Sequence, residues 1–164
     1  MPIVRSQMIW SSRGVPRLVR FSRSKLMGSL KILIADDHPA VRILLRNILE
    51  SVPDWNVCGE AEDGRSAVAL ALRLRPDVIV MDLVMPEANG LEATREVLRS
   101  NRQARVILTT LHEIPTFVDE ARRVGACGCF FKTESGRHLI PAVRVATERK
   151  PFFTPDDLEY REIN

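Results

Sequence analysis

Ile32-Leu33-Ile34-Ala35-Asp36-Asp37 opens a pattern that recurs along the chain as Val78-Ile79-Val80-Met81-Asp82, Val106-Ile107-Leu108-Thr109-Thr110 and Cys129-Phe130-Phe131-Lys132. Each is a short apolar run that ends in a polar residue. Such runs read as strands buried on both faces, as in a parallel sheet. The C-terminal ends of parallel strands share one edge, where open α/β sheets bind ligands. Three carboxylates, a threonine hydroxyl and a lysine ammonium are therefore expected at one rim.

The segments between these runs alternate with them. Pro39 suits a helix's first turn, where its missing N–H costs nothing, and Val41, Leu44, Leu45, Ile48 and Leu49 follow at helical spacing. After Pro53-Asp54, Trp55–Gly59 reads as a second strand. Ser66–Leu74 reads as a helix, stopped by Arg75-Pro76-Asp77. Val78–Met81 is the third strand. Leu83–Gly90 is a loop in which Asn89-Gly90 favours a turn with positive φ. Leu91–Arg99 is a helix and Arg105–Thr109 the fourth strand. A fourth helix starts near Pro115 and stops at Gly125. Gly128–Phe131 is the fifth strand. A last helix covers Arg137–Lys150, with Pro141 marking its start or a kink. Five strands alternating with five helices imply a right-handed, doubly wound α/β domain with a parallel sheet.

Length and composition agree with one such domain. The chain has 164 residues, 45% hydrophobic and 27% charged. No apolar stretch approaches the roughly 20 residues of a membrane span. Three cysteines, an odd number, argue against a secreted disulfide framework. The net charge of +3 is unevenly placed. Residues 1–29 hold six basic residues and no acid, which leaves 18 basic against 21 acidic residues in 30–164. The globular part is mildly acidic and gives no bulk basic field for nucleic acid. The division expected is a basic, disordered leader over 1–29, a domain over 30–150 and a linker-like tail over 151–164, with a cytoplasmic location.

The rim residues have a coherent chemistry. Asp82 is the candidate nucleophile, since a carboxylate can attack phosphorus to form an acyl phosphate. Carboxylates about 5 Å apart repel by roughly 3 kcal/mol per pair at an effective dielectric near 20, a penalty that a divalent cation removes. Oxygen-only ligation by Asp36, Asp37 and Asp82 suits Mg²⁺. Lys132 can pair with Asp82 at rest and with a phosphoryl oxygen afterwards. Thr109 and Thr110 both qualify as the hydroxyl donor, and strand alternation lets only one face the site. Each residue alone has an ordinary reading as a cap, turn or solvated charge. Their joint placement on successive strand ends is what points to a site.

These residues and their spacing closely resemble the receiver domain of two-component response regulators. The matching stretches are Ile32–His38, Pro76–Gly90, Val106–Glu113 and Gly125–Lys132. The resemblance implies a flavodoxin-like five-stranded sheet in order 2-1-3-4-5, the order known for receiver proteins of this fold. It implies Asp82 as phosphoacceptor for a sensor histidine kinase or phosphotransfer protein. It implies Mg²⁺ held by Asp37, Asp82 and the backbone carbonyl of Val84, with Asp36 acting through an intervening water. Thr110-Leu111-His112-Glu113 matches the family's hydroxyl-x-x-acid segment, which selects Thr110 over Thr109. The wording is most similar to regulators with a C-terminal helix-turn-helix.

Two departures stand out. Cys129 occupies the position where the family carries an aromatic that turns inward on activation, and Phe130 points to the other face. Thr133 follows Lys132 where many receivers have proline. No second helical pattern with a basic recognition helix follows Lys150, so direct DNA binding by this chain is not expected. Phe152-Phe153-Thr154-Pro155 resembles the start of an interdomain linker. The leading expectation is a switch, not a turnover enzyme, with possible homodimerisation through helix four, strand five and helix five. The alternatives are a receiver fragment of a DNA-binding regulator, an Mg²⁺-dependent phosphatase and an adaptor with an inert pocket. Phosphatases of this kind place a second acid two residues after the nucleophile, where this chain has Val84.

Overall fold

In the computed structural model, residues 6–10, 16–20, 29–112 and 116–153 are described. Six strands form the main sheet: β1 (Leu30–Ala35), β2 (Trp55–Ala61), β3 (Val78–Asp82), β4 (Val106–Thr110), β5 (Gly128–Phe131) and β6 (Phe152–Phe153). All neighbours pair in parallel, in the order 2-1-3-4-5-6. The helices are α1 (Pro39–Glu50), α2 (Gly64–Leu74), α3 (Gly90–Ser100), α4 (Phe117–Arg123) and α5 (Ser135–Thr147).

Strand alternation divides the core into two layers. Leu33, Ile79, Met81, Leu108 and Cys129 face one layer with α2, α3 and α4. Ile32, Ile34, Val80, Ile107 and Phe130 face the other with α1 and α5. Cys129 and Phe130 thus lie on opposite faces, as alternation requires. Ile32–Ala35 of β1 and all of β3 and β4 are essentially fully buried, and each large aliphatic side chain removed from water contributes roughly 1.5–3 kcal/mol. Burial on both faces explains why these strands read as continuous apolar runs.

The expected five-stranded sheet gains a sixth strand. Phe152-Phe153, assigned to the tail, pairs beside Gly128 and Cys129, and the Phe152 N–H donates to the Cys127 carbonyl at 2.8 Å. Gly128 permits this approach: a Cβ there would stand 2.3 Å from the Phe152 carbonyl oxygen. The Phe153 ring lies under the Arg122 guanidinium, 4.3 Å from its centroid, and Phe152 packs edge-on to His138.

Local chemistry also corrects the β3–α3 loop. Asn89-Gly90 makes no positive-φ turn. Asn89 is the N-cap of α3 at φ −68°, its side chain accepting the Glu92 N–H at 3.0 Å. Gly90 is required instead for close approach, since a Cβ would stand 2.1 Å from the Asp82 carbonyl oxygen. The positive φ falls on Glu87, at 67°. Pro141 lies inside α5, which runs through it from Ser135. In the leader, Ser6–Trp10 and Pro16–Arg20 pair antiparallel as a separate two-stranded sheet, where no regular structure was expected. The register sets Met8 opposite Leu18. The expectations for Glu113, Ile114 and Pro115, and for the tail beyond Phe153, lie outside the described residues.

Candidate functional site

Asp36 follows β1, Asp82 ends β3, Thr110 ends β4, and Lys132 opens a 3₁₀ turn directly after β5. Parallel pairing therefore delivers all four to one edge of the sheet. Asp36 is fully buried, and Asp82 and Lys132 are nearly so. Lys132 Nζ lies 2.6 Å from Asp36 Oδ2 and 2.7 Å from Asp82 Oδ2. One ammonium thus bridges two buried carboxylates.

The acidic side of the cluster is held from α1. Asp36 Oδ1 accepts the His38 N–H at 3.0 Å, and the Arg42 guanidinium donates to the Asp36 carbonyl at 2.7 Å. His38 Nδ1 lies 2.7 Å from Asp37 Oδ1. Neither His38 nor Arg42 was expected here. Their proximity depends on the angle at which α1 leaves β1, which sequence spacing does not encode.

Asp37 is half-buried; its Oδ1, which faces His38 Nδ1, and Asp36 Oδ2, which faces Lys132 Nζ, are both shielded from solvent. Ligand atoms from Asp36, Asp37, His38 and Asp82 all lie within 4.8 Å of one another. Shielded carboxylate oxygens gathered in an oxygen-rich set fit a hard divalent cation such as Mg²⁺.

Burial pushes the Asp82 carboxyl above its ordinary pKa, and nearby Asp36 pushes the same way; Lys132 and the Val84 N–H oppose them. Val84, whose N–H meets the Asp82 carboxylate, is half-exposed. Thr110 is fully buried, its hydroxyl oxygen accepting the His112 N–H at 3.1 Å. Thr109 is equally buried and donates weakly to the Met81 carbonyl at 3.4 Å. Cys129 is buried in the α2–α3–α4 layer, the same layer in which the β6 residue Phe153 packs.

A doubly wound α/β domain with acids and a lysine converging at its C-terminal sheet edge is the architecture of receiver domains. The response regulator receiver domain matches residues 32–144. The chain belongs to that family. It is 34% identical over 128 residues to the transcriptional regulatory protein DegU of Brevibacillus brevis, covering 78% of this chain and 54% of that protein. It is 37% identical over 127 residues to the transcriptional regulatory protein LiaR of Bacillus subtilis (strain 168), covering 74% of this chain and 58% of that protein. The chain therefore spans just over half the length of these relatives. It is also similar to the crystal structure of a LuxR-family two-component response regulator from Aurantimonas sp. SI85-9A1, with TM-score 0.76 and 32% identity over 80% of this chain and 94% of that one. No helix among the described residues is long and apolar enough to cross a membrane.

Proposed function

We propose that this chain is a phosphoacceptor switch in a two-component relay, with Asp82 as the phosphorylated residue. The observation that carries the reading is the buried Lys132 bridge between Asp36 and Asp82, beside the half-buried Asp37 carboxylate. A lysine in that position is a movable counter-charge. An Asp82 carboxylate oxygen attacks the phosphorus of a phosphohistidine on a sensor kinase or phosphotransfer protein. The new O–P bond forms as the N–P bond breaks, and the imidazole leaves with the electron pair. Lys132 then moves from carboxylate to phosphoryl oxygen, and Thr110 donates its hydroxyl to another. Asp36, Asp37, Asp82 and the Val84 carbonyl would hold Mg²⁺, which when bound offsets the charge of donor and acceptor.

The switched surface on this reading is α4, β5 and α5, through which two copies can associate in the cytoplasm. The chain acts through such contacts, not by turnover of a substrate. Where it forms part of a longer regulator, the same surface would report to an output domain.

Incubation with a small phosphodonor and Mg²⁺, followed by intact mass, tests the reading. One stable phosphate, absent in Asp82→Asn and retained in Asp63→Asn, is the expected result. Rapid phosphate release would indicate a phosphatase, and no mass gain an adaptor.

A further inference from the structure

The geometry points to Gly64, the first residue of α2, as a positioning residue for the loop that carries Val84; this inference rests on the metal-dependent reading above. Gly64 is buried, and its backbone seats directly on the β3–α3 loop. A Cβ built at Gly64 would stand 2.0 Å from the Ala88 carbonyl oxygen, 2.7 Å from its carbonyl carbon and 2.8 Å from its Cβ. These are mainly backbone atoms, so no rotamer change makes room. The Gly64 N–H also donates to the Pro86 carbonyl at 3.3 Å.

The loop is otherwise closed by its own bonds. The Ala88 N–H donates to Pro86 at 2.7 Å, and the Gly90 N–H donates to Leu83 at 2.8 Å. Between them Glu87 adopts a positive φ that a non-glycine residue holds only when its surroundings impose it. The first turn of α2 supplies that constraint. Asp63 caps it, accepting the Ser66 N–H at 2.7 Å, and Arg65 reaches Glu87 at 3.7 Å. Asp82 and Val84 are thereby connected to a helix on the far side of the loop. Displacing the loop from α2 shifts the Val84 carbonyl relative to the Asp82 carboxylate without touching either residue.

Magnesium titration by calorimetry, with hydrogen exchange of the metal-free protein, tests the role. Gly64→Ala is expected to weaken Mg²⁺ by about tenfold or more, as loss of outer-shell support does. It should also speed exchange of the Ala88 and Gly90 amides. Gly125→Ala is the control. Gly125 has φ +87°, so a side chain strains the backbone there. It lies after α4, before β5 and away from the acidic edge. Weakening confined to Gly64→Ala supports the inference. Equal affinity in Gly64→Ala and wild type overturns it, as does equal weakening in both variants. If Gly64→Ala fails to fold, Asp63→Ala decides, because it frays the same turn and keeps the glycine. Weaker Mg²⁺ binding there supports positioning, and unchanged binding overturns it. A wild type that binds no Mg²⁺ removes the metal reading and the inference with it, an outcome distinct from a failure of Gly64 alone.

Discussion

Replacing Lys132 by methionine removes the ammonium that bridges Asp36 and Asp82 while keeping an apolar stem of similar length. In metal-free buffer two buried carboxylates then face each other unpaired. Breaking one partner of a buried ion pair costs about 3–5 kcal/mol. The Coulomb repulsion of two charges about 5 Å apart, roughly 3 kcal/mol at an effective dielectric near 20, has the same size. Proton uptake limits the loss, since one carboxyl can neutralise. Relative to the unfolded chain, where an ordinary aspartyl carboxyl titrates near 4, that escape costs about 4 kcal/mol at pH 7 and only about 1.4 kcal/mol at pH 5. Urea unfolding should therefore show Lys132→Met destabilised by about 3–4 kcal/mol at pH 7 and by about 1–2 kcal/mol at pH 5. Both values fit within the roughly 5–15 kcal/mol of a typical domain. Mg²⁺ should stabilise the variant more than the wild type. A loss below about 1 kcal/mol at pH 7, or one that does not shrink at pH 5, would refute the assignment of Lys132 as the bridging counter-charge.

Three further outcomes follow from the same geometry. Asp82 has a raised folded pKa, so its contribution to stability is full below the unfolded pKa and is lost as pH rises through the folded one. Asp82→Asn, which does not titrate, should gain stability relative to wild type between pH 4 and neutrality in metal-free urea titrations, and a constant difference would contradict this. Burial pushes the Cys127 thiol up to about 11, and its Sγ lies 3.2 Å from the Val106 carbonyl, so alkylation near pH 8 should be much slower than for a free peptide thiol. Gly128→Val should destabilise by about 1–3 kcal/mol by driving β6 off β5, seen as lost amide protection at Phe152.

The parts of the fold legible in the sequence were those whose physics is local or fully periodic. β1, β3, β4 and β5 are buried on both faces and show as apolar runs. Because parallel strand ends share an edge, Asp36, Asp82 and Lys132 could be placed together from spacing alone. β6 was not legible, because two residues carry no periodicity and their pairing depends on the space above Gly128. Asn89-Gly90 has the composition of a turn, yet serves as cap and close approach, and only the neighbouring Asp82 carbonyl reveals which. Gly64 gave no signal, since its role depends on a loop more than 20 residues away.

The pairing of Phe152-Phe153 on β5 also bears on behaviour in crowded solution. A bare strand edge is a template for a strand from another molecule. Without β6, the unsatisfied backbone of Cys127, Gly128 and Cys129 would adjoin the aromatic pair Phe130-Phe131, a combination prone to intermolecular β-pairing. β6 fills that edge with only two residues, and Pro151 immediately before it has no N–H to extend the ladder. At the opposite edge, the register shift between Ile32 and Leu33 twists β2 away from a flat template. Both margins of the sheet are thus guarded against self-templated growth, one by a short strand and one by a bulge.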